Sequence, residues 1–519
     1  MRLIIQLFGK ILAVTGNKFY RALENPQAAQ HRVQQDIFRR FVKSEYSQNL
    51  GITSLQDWDK IPIVEYQDIE QCIYRQQQSK KYLLTNESIV FYEKTSGSRS
   101  AAKLIPYTKS LLRSFNQMFC VWAHDLIVLG PKFSTGKIYF CISPQLDEQV
   151  GTQVETRNFT SLRDDSEYLD KWLRWILSPF LVSLPGIKGV RNAEQFKHQL
   201  SLGLLREENL EIISIWSPSF LKVILDYIQI NHIQLATELK NHIYPERLQL
   251  ISQLEFGLFW PKLKLISCWD SANAADGADF LKKLFPNVLV QGKGLLATEA
   301  PMTIPLIEAK GCVPMLDEVF FEFEDVEGKI YYLHELSLGK KYKIILSQKG
   351  GLYRYRIGDR VCVTHFFYNT PCLEFLGRTE EISDLVGEKL HSDFVRQVLD
   401  ALPFEETCFK SLVPAKFPKE HYILLVDKVN LSPQILAQQL DTMLQESPQY
   451  KHARLLGQLQ SVRVIVHPLV SEIISLHKVS LGKKWGDLKH DVLVTTAIEE
   501  ELLAKLECQK SIGDNLYSK

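Results

Sequence analysis

The chain has 519 residues, 45% of them hydrophobic, enough to bury a large core and to form more than one domain. Lys plus Arg (61) balance Asp plus Glu (60) to a net charge of +1 without long like-charge blocks, so a strong nucleic-acid or anionic-membrane footprint is not supported. The nine cysteines are scattered and lack a C-x-x-C pair, which fits reduced thiols in the cytoplasm better than a disulfide frame or a zinc site.

The stretch from Met1 to Val14 is apolar but interrupted by Lys10, and it continues into Lys18-Phe19-Tyr20-Arg21 without a small-residue cleavage site. That argues against a secretory signal, and no stretch approaches the ~20 apolar residues of a membrane span. The segment reads as an amphipathic helix packed on the core, with loose membrane contact as the alternative. Residues 1–80 as a whole read as helical, rich in Gln and short of Gly. Strands are expected over Ser88 to Tyr92 and from Leu104. Helices are expected over Ser110 to Leu129 and Asp170 to Leu184, where apolar residues recur at helical spacing. Ile212 to Trp216 reads as a buried strand. Ser217-Pro218 then supplies an N-cap and a proline at the first helical position for a helix over Phe220 to Ile230.

A strand over Leu263 to Trp269, a helix over Ala278 to Leu284 and a strand over Asn287 to Val290 continue the alternation. The pattern predicts a largely parallel sheet covered on both faces. Beyond Gly311 strands dominate: Val319 to Phe323, Ile330 to Glu335, Tyr342 to Ser347 and Gly351 to Thr364. After Arg378 a smaller unit begins, with strands near 421–426 and 461–466 and helices near 433–445 and 496–507. The expected architecture is α/β. It comprises a large N-terminal domain (1–378) of mostly parallel sheet with a β-rich subdomain, a hinge (379–384) and a small C-terminal α/β domain (385–519).

Five motifs carry chemistry. Tyr92-Glu93-Lys94-Thr95-Ser96-Gly97-Ser98-Arg99-Ser100-Ala101-Ala102-Lys103 is a hydroxyl-rich turn closing on Lys, suited to a polyphosphate. It lies between strands and no G-x-x-x-x-G-K-[ST] occurs, so it is not a Walker loop; a plain hairpin turn is the alternative. Gln291-Gly292-Lys293-Gly294-Leu295-Leu296-Ala297-Thr298-Glu299 imitates a dinucleotide fingerprint, with Asp317 about twenty residues on. Pro301 and Pro305 forbid the helix which that fingerprint needs. A loop presenting Thr298 and Glu299, whose carboxylate could hold Mg²⁺ against phosphate oxygens, is the better reading.

In Gly351-Leu352-Tyr353-Arg354-Tyr355-Arg356-Ile357-Gly358-Asp359, alternation puts the tyrosines on one face and the arginines on the other. Gly358 suggests a bulge or a close approach, and Asp359 could accept hydrogen bonds from both ribose hydroxyls. An edge strand with surface charges is the alternative. Glu374-Phe375-Leu376-Gly377-Arg378, followed by Glu380 to Leu390, marks the boundary, and Gly486-Asp487-Leu488-Lys489 comes late in the small domain.

In this order the motifs resemble the adenylate-forming superfamily of acyl-CoA ligases, peptide-synthetase adenylation domains and firefly luciferase. More narrowly, Trp216-Ser217-Pro218-Ser219-Phe220, Gly292 to Glu299, Gly351 to Asp359 and Val386-Gly387-Glu388-Lys389-Leu390 resemble the auxin-responsive Gretchen Hagen family of acyl acid-amido synthetases. The resemblance covers nearly the whole chain.

It implies that Thr95, Ser96, Gly97, Ser98 and Lys103 form the phosphate loop, and that Thr298 and Glu299 bind the α-phosphate and Mg²⁺. It also implies that Asp359 and Arg378 hold the ribose, and that Trp269 to Asn273 flank the adenine. Lys489 would bridge carboxylate and phosphate, with Lys483 and Lys484 as rivals. The sequence departs from the family in carrying Arg99-Ser100-Ala101-Ala102 where a second Gly and a Pro are usual, and His490-Asp491 where Pro-Arg is common.

The implied reaction uses ATP to activate a carboxylic acid as its adenylate, which then passes to an amine, with an amino acid as the expected acceptor. A thiol acceptor or a non-catalytic nucleotide-binding protein are the rivals. No nucleic-acid or integral membrane partner is implied. For the acid pocket, Phe115, Met118, Phe119, Trp122 and Phe220 are candidates that plain core packing would equally explain.

Overall fold

The computed structural model describes residues 2–508 except 80–82, 95–102, 142–174, 176, 185, 188, 189, 191, 272, 273, 379–381, 384, 387, 389, 406, 407, 456–458, 482–487 and 489. Four helices open the chain: α1 (Arg2–Glu24), α2 (Pro26–Phe41), α3 (Glu45–Leu50) and α4 (Tyr66–Ser79). Pro26 presets the first turn of α2, and the Asn25 side chain accepts the Ala28 N–H at 3.0 Å. The antiparallel hairpin β1 (Ile89–Lys94) and β2 (Leu104–Thr108) follows. Thr108 ends β2 and caps α5 (Lys109–Val128) by accepting the Leu111 N–H at 3.1 Å.

Next comes the parallel sheet β3 (Lys137–Phe140), β4 (Leu210–Ser214), β5 (Leu265–Cys268) and β6 (Leu289–Gly292), in that spatial order. Between its strands run α6 (Ala193–Arg206), α7 (Pro218–Leu239), α8 (Pro245–Ser252) and α9 (Ala275–Leu284). Alternate residues of a strand face opposite ways. Ile213 and Ile266 accordingly pack with Leu200, Ile224 and Leu281 of the crossover helices, whereas Ile212 and Leu265 pack with Ile5 of α1 and Leu126 of α5. Both faces are covered, as the alternation of elements requires. Of the helix expected over Asp170 to Leu184, residues 170–174 and 176 lie outside the described residues, Ser178–Phe180 is a single 3₁₀ turn, and Leu181 is instead in an extended bridge with Ile138, so the helix does not reach Leu184.

Short hairpins β7 (Leu296–Ala297) with β8 (Ala300–Pro301) and β9 (Thr303–Leu306) with β10 (Gly311–Pro314) lead into a five-stranded antiparallel sheet. Its strands are β11 (Phe320–Glu324), β12 (Ile330–Tyr332), β13 (Lys341–Ser347), β14 (Tyr355–Phe367) and β15 (Thr370–Arg378), ordered β12-β11-β13-β14-β15.

Here the structure corrects the alternation drawn through 351–356. Arg354 has φ 46°, in the left-handed region, so β14 starts only at Tyr355. Arg354 turns inward: its guanidinium donates to both Glu322 oxygens (2.8 and 3.0 Å) and to the Asp59 and Ile61 carbonyls (2.8 Å each). β14 is an interior strand between β13 and β15, not an edge.

The remaining elements are β16 (Ile382–Ser383), β17 (Leu390–His391), α10 (Ser392–Asp400), β18 (Lys410–Ala415), β19 (His421–Val426), α11 (Pro433–Leu444), α12 (Pro448–Leu455), β20 (Arg463–Val466), α13 (Val470–Ser480) and α14 (Glu500–Cys508). Leu412, Leu424 and Leu440 pack on one face of β18-β19-β20, and Val413, Ile423, Ile465 and Leu506 on the other. Among the described residues no helix is long and apolar enough to cross a membrane.

Candidate active site

The parallel register sets Ser214, Ser267 and Gln291 side by side at the carboxyl ends of β4, β5 and β6. Ligands of open parallel sheets bind in the crevice outside such ends. Just beyond, the Trp216 and Trp269 rings lie 5.7 Å apart, and the Trp269 N–H donates to the Trp216 carbonyl at 2.8 Å. Lys293 reaches across from the end of β6. Its ammonium is 2.8 Å from Ser214 Oγ and 4.8 Å from the Trp216 ring centre, an ammonium–aromatic contact. From above the sheet, Trp122 of α5 donates its Nε1–H to Gln291 Oε1 at 3.0 Å.

Gly292 has a local reason: a Cβ there would come within 2.2 Å of the Asp270 carboxylate. Loss of hydration raises the Asp270 carboxyl above its ordinary range; Lys282 opposes the rise and Glu374 of β15 adds to it. Asp270 keeps an open face to solvent.

Thr298 and Glu299 are the two-residue turn of the β7–β8 hairpin, with Ala297 opposite Ala300. Glu299 is buried at that turn. Tyr107 of β2 donates its hydroxyl to the Thr298 carbonyl at 2.7 Å, tying the turn to the strand that Lys103 directly precedes. The Lys103 ammonium stands 5.5 Å from the Tyr66 ring centre, and the Tyr66 hydroxyl accepts the Leu104 N–H at 2.8 Å. The phosphate-loop candidate therefore connects two antiparallel strands, of which β2 reaches this turn.

Asp359 and Arg378 are direct partners across β14 and β15. The ladder slips on both sides of Asp359. Opposite β13 the pairing passes from Ile345–Arg356 to Lys343–Arg360, so the bulge that Gly358 suggested is present. Gly358 has φ 89°, and a Cβ placed on it would meet nothing within 4 Å. The bulge thus leaves open space beside the buried Asp359.

Thr95, Ser96, Gly97, Ser98, Arg99, Asn273, Lys483, Lys484 and Lys489 lie outside the described residues, and Arg378 is placed by its backbone register. Of the acid-pocket candidates, Phe115 and Met118 belong to the main core and Phe220 to the core of the parallel sheet. Phe119 and Trp122 line a wholly apolar cavity of about 90 Å³ with Ile5, Phe8 and Phe180.

The sequence gives no role to Lys293, and it meets Asp270 only within the Trp269 to Asn273 stretch that the resemblance sets beside the adenine. A lysine between two glycines directly after a buried strand was the available signal. It also gave no reason for Val386 to Leu390, which the structure supplies. The buried Glu388 carboxylate accepts the Leu385 and Val386 N–H groups at 2.8 Å each and the Tyr422 hydroxyl, which lies 3.0 Å from Ser383 Oγ.

Comparison with known proteins places the chain. Residues 15–290 match the GH3 family N-terminal domain, and residues 312–378 match the GH3 family central domain. The chain belongs to the GH3 family. Among GH3 relatives in Arabidopsis thaliana, indole-3-acetic acid-amido synthetase GH3.15 is 22% identical over 429 residues, 71% of this chain and 71% of that protein. The 4-substituted benzoates-glutamate ligase GH3.12 is 22% identical over 447 residues, 76% and 74% of the two chains.

The solved GH3 structure of AtGH3.15 acyl acid amido synthetase in complex with 2,4-DB superimposes with a TM-score of 0.80 at 19% identity, covering 96% of each chain. A 2-hydroxyisobutyryl-CoA ligase in the postadenylation state gives a TM-score of 0.52 at 14% identity, covering 94% and 93%. The fold is that of the GH3 and adenylate-forming enzymes, as the order of motifs implied.

Proposed function

We propose that this GH3 chain activates a carboxylic acid with ATP as an acyl adenylate, releases pyrophosphate, and passes the acyl group to an amine, in the first instance an amino acid. The observation that carries this reading is the Asp359–Arg378 rung beside the open bulge at Gly358, in a chain aligned almost end to end with an acyl acid amido synthetase.

The proposed roles follow from charge and position. Asp359 accepts the ribose hydroxyls, with Arg378 opposite it. Thr95, Ser96, Gly97, Ser98 and Lys103 hold the phosphates. Thr298 and Glu299, fixed at a tight turn by Tyr107, face the α-phosphate. Lys489 bridges the attacking carboxylate and that phosphate. Carboxylate and polyphosphate repel one another, so fixed positive charge at the point of attack is the main source of acceleration.

The described residues contain no cluster of three or more His, Cys, Asp or Glu able to cage a metal. A single carboxylate completed by substrate phosphates is the usual Mg²⁺ arrangement, and Glu299 fits it. Bound there, Mg²⁺ would neutralise phosphate charge. We place the division of labour at residues 1–378 and 385–519, joined by 379–384, with the smaller unit turning between the two half-reactions.

The test is a pyrophosphate-release screen of carboxylic acids with ATP and Mg²⁺, followed by mass analysis after adding mixed amino acids or coenzyme A. An amide whose mass equals acid plus amino acid less water is expected. A coenzyme A thioester in its place would favour the ligase reading that the 2-hydroxyisobutyryl-CoA ligase likeness keeps open. No pyrophosphate with any acid would overturn catalysis in favour of simple nucleotide binding.

A further inference from the structure

Helix α1 carries two apolar faces, and among the described residues only one has a partner. Ile5, Phe8, Gly9, Leu12, Gly16, Phe19, Ala22 and Leu23 are buried. The inner face is locked against α5. A Cβ on Gly9 would sit 2.7 Å from Ile127, and one on Gly16 would sit 2.0 Å from His124, so the helix lies too close to roll. Tyr20 fixes the far end by donating to Asp125 at 2.6 Å.

Leu3, Ile4, Leu7, Ile11 and Val14 form the second face, each between 52% and 80% exposed. Their spacing of three and four residues makes one continuous stripe about a third of a turn from the buried one. An amphipathic helix on a soluble protein normally turns charge outward, so a solvent-facing aliphatic stripe asks for an occupant.

Charge indicates which occupant. Across Arg2 to Glu24 the cations are Arg2, Lys10, Lys18 and Arg21, all exposed, and the only acid is the terminal Glu24. Among the described residues, carboxylates that act on α1 from neighbouring elements are Asp125 and Glu308 at Tyr20 and Asp317 at Lys18. All three meet its second half, so among the described residues no acid pairs with Arg2 or Lys10, which flank the aliphatic stripe. The near-zero charge of the whole chain conceals this local imbalance.

Further apolar side chains surround the same end of the molecule. Val128 and Leu129 close α5 next to Ile127 and are exposed. Trp175 is 78% exposed, two residues from Leu177, which packs with Phe8 and Leu12. An aliphatic stripe, an exposed tryptophan and flanking cations together make an interfacial helix for an anionic bilayer.

We infer that α1 docks this protein on the surface of anionic membranes, lying in the headgroup plane with Leu3, Ile4, Leu7, Ile11 and Val14 inserted and Arg2 and Lys10 against lipid phosphates. The contact is peripheral and reversible, and it leaves the carboxyl ends of the parallel sheet free.

The test is co-sedimentation of the full chain with vesicles of phosphatidylcholine alone and of phosphatidylcholine mixed with phosphatidylglycerol, at low and high salt. Binding to the mixed vesicles, weakened by salt and by Lys10→Glu, is expected. The double change Leu7→Glu with Ile11→Glu should lower it at least about tenfold while leaving thermal unfolding unchanged, because both side chains are exposed. Absence of vesicle binding, or equal binding by the double variant, overturns the inference. So does light scattering that shows a dimer dissolved by the same substitutions, which would assign the stripe to a second copy of the chain.

Discussion

At the scale of single residues, Asp359 and Arg354 sit five positions apart with opposite duties. Asp359 lies next to a bulge with open space at Gly358, and Arg354 is sealed against Glu322. Asp359→Asn keeps the size of the side chain but halves its acceptor strength. The Michaelis constant for ATP should rise about tenfold or more, since hydrogen bonds to a charged group are worth roughly 1.5–3 kcal/mol. Steady-state kinetics with ATP varied checks this, and an unchanged constant would remove Asp359 from the ribose site.

Arg354→Ala should instead destabilise folding by roughly 3–5 kcal/mol, because it strands Glu322 and two backbone carbonyls. Denaturant unfolding reads that loss. The sequence could distinguish Asp359, through its glycine and the strand ahead of it. Arg354 was misplaced because strand alternation assumes extended backbone, and nothing local announces the left-handed turn at that position.

At the scale of elements, buried carboxylates fasten strand ends. Glu211 opens β4 with no exposure and accepts the N–H groups of Ser134 (2.8 Å), Thr135 (2.9 Å) and Gly136 (2.7 Å), while Lys264 stands 2.7 Å away. Burial pushes its carboxyl up, but Lys264 and those backbone donors outweigh it and hold the group below the usual range. Its stabilisation is therefore complete above the ordinary carboxylate value and is lost as pH falls through the depressed one. Glu211→Ala should cost several kcal/mol, roughly 3–5, and thermal unfolding measures it.

His490 behaves in the opposite chemical sense with the same pH sign. Burial, then Lys478 of α13 and Lys222 of α7, push its imidazole down to about 3 from an ordinary 6.5. Asp491 lies 3.9 Å from Lys478 and Asp226 lies 3.1 Å from Lys222, so both lysines keep partly compensating acids. Between pH 6.5 and 3 the unfolded chain takes up the proton that the folded chain refuses. Acidification from pH 7 to 5 should thus cost the native protein about 2 kcal/mol more than it costs His490→Gln. Parallel pH-dependent denaturation curves for the two proteins would contradict it. Periodicity showed these elements well; their fastenings join residues far apart in sequence, which no window of the sequence reveals.

At the scale of the whole molecule, the hydrophobic clusters of the C-terminal elements form separately from those before them. The buried members of the two C-terminal clusters all lie between residues 390 and 506. Val479 and Leu488, however, belong to the core of the parallel sheet, and polar contacts bridge the same divide. Arg360 of β14 meets Asp393 of α10 at 2.9 Å, and Lys197 of α6 pairs with Glu472 of α13. These contacts seat the C-terminal elements against both the five-stranded sheet and the parallel one. A turning small domain must break them.

Cross-linking residues 360 and 393 through introduced cysteines should therefore leave one half-reaction intact and suppress the other, and single-turnover kinetics would show which. Both half-reactions running at full rate would contradict the rotation. The order of motifs led to the expectation of two units. The docking contacts were not legible, because each depends on where two separately folded surfaces meet.

The central claim is that this chain turns a carboxylic acid into its adenylate, and acid-dependent exchange of labelled pyrophosphate into ATP tests it most directly, since no amine is needed. With a competent acid the wild-type protein should catalyse exchange, and Lys489→Ala should lower it about 10²–10³-fold while ATP still binds. Exchange at the wild-type rate in Lys489→Ala, or none with any acid despite tight ATP binding, would contradict the account.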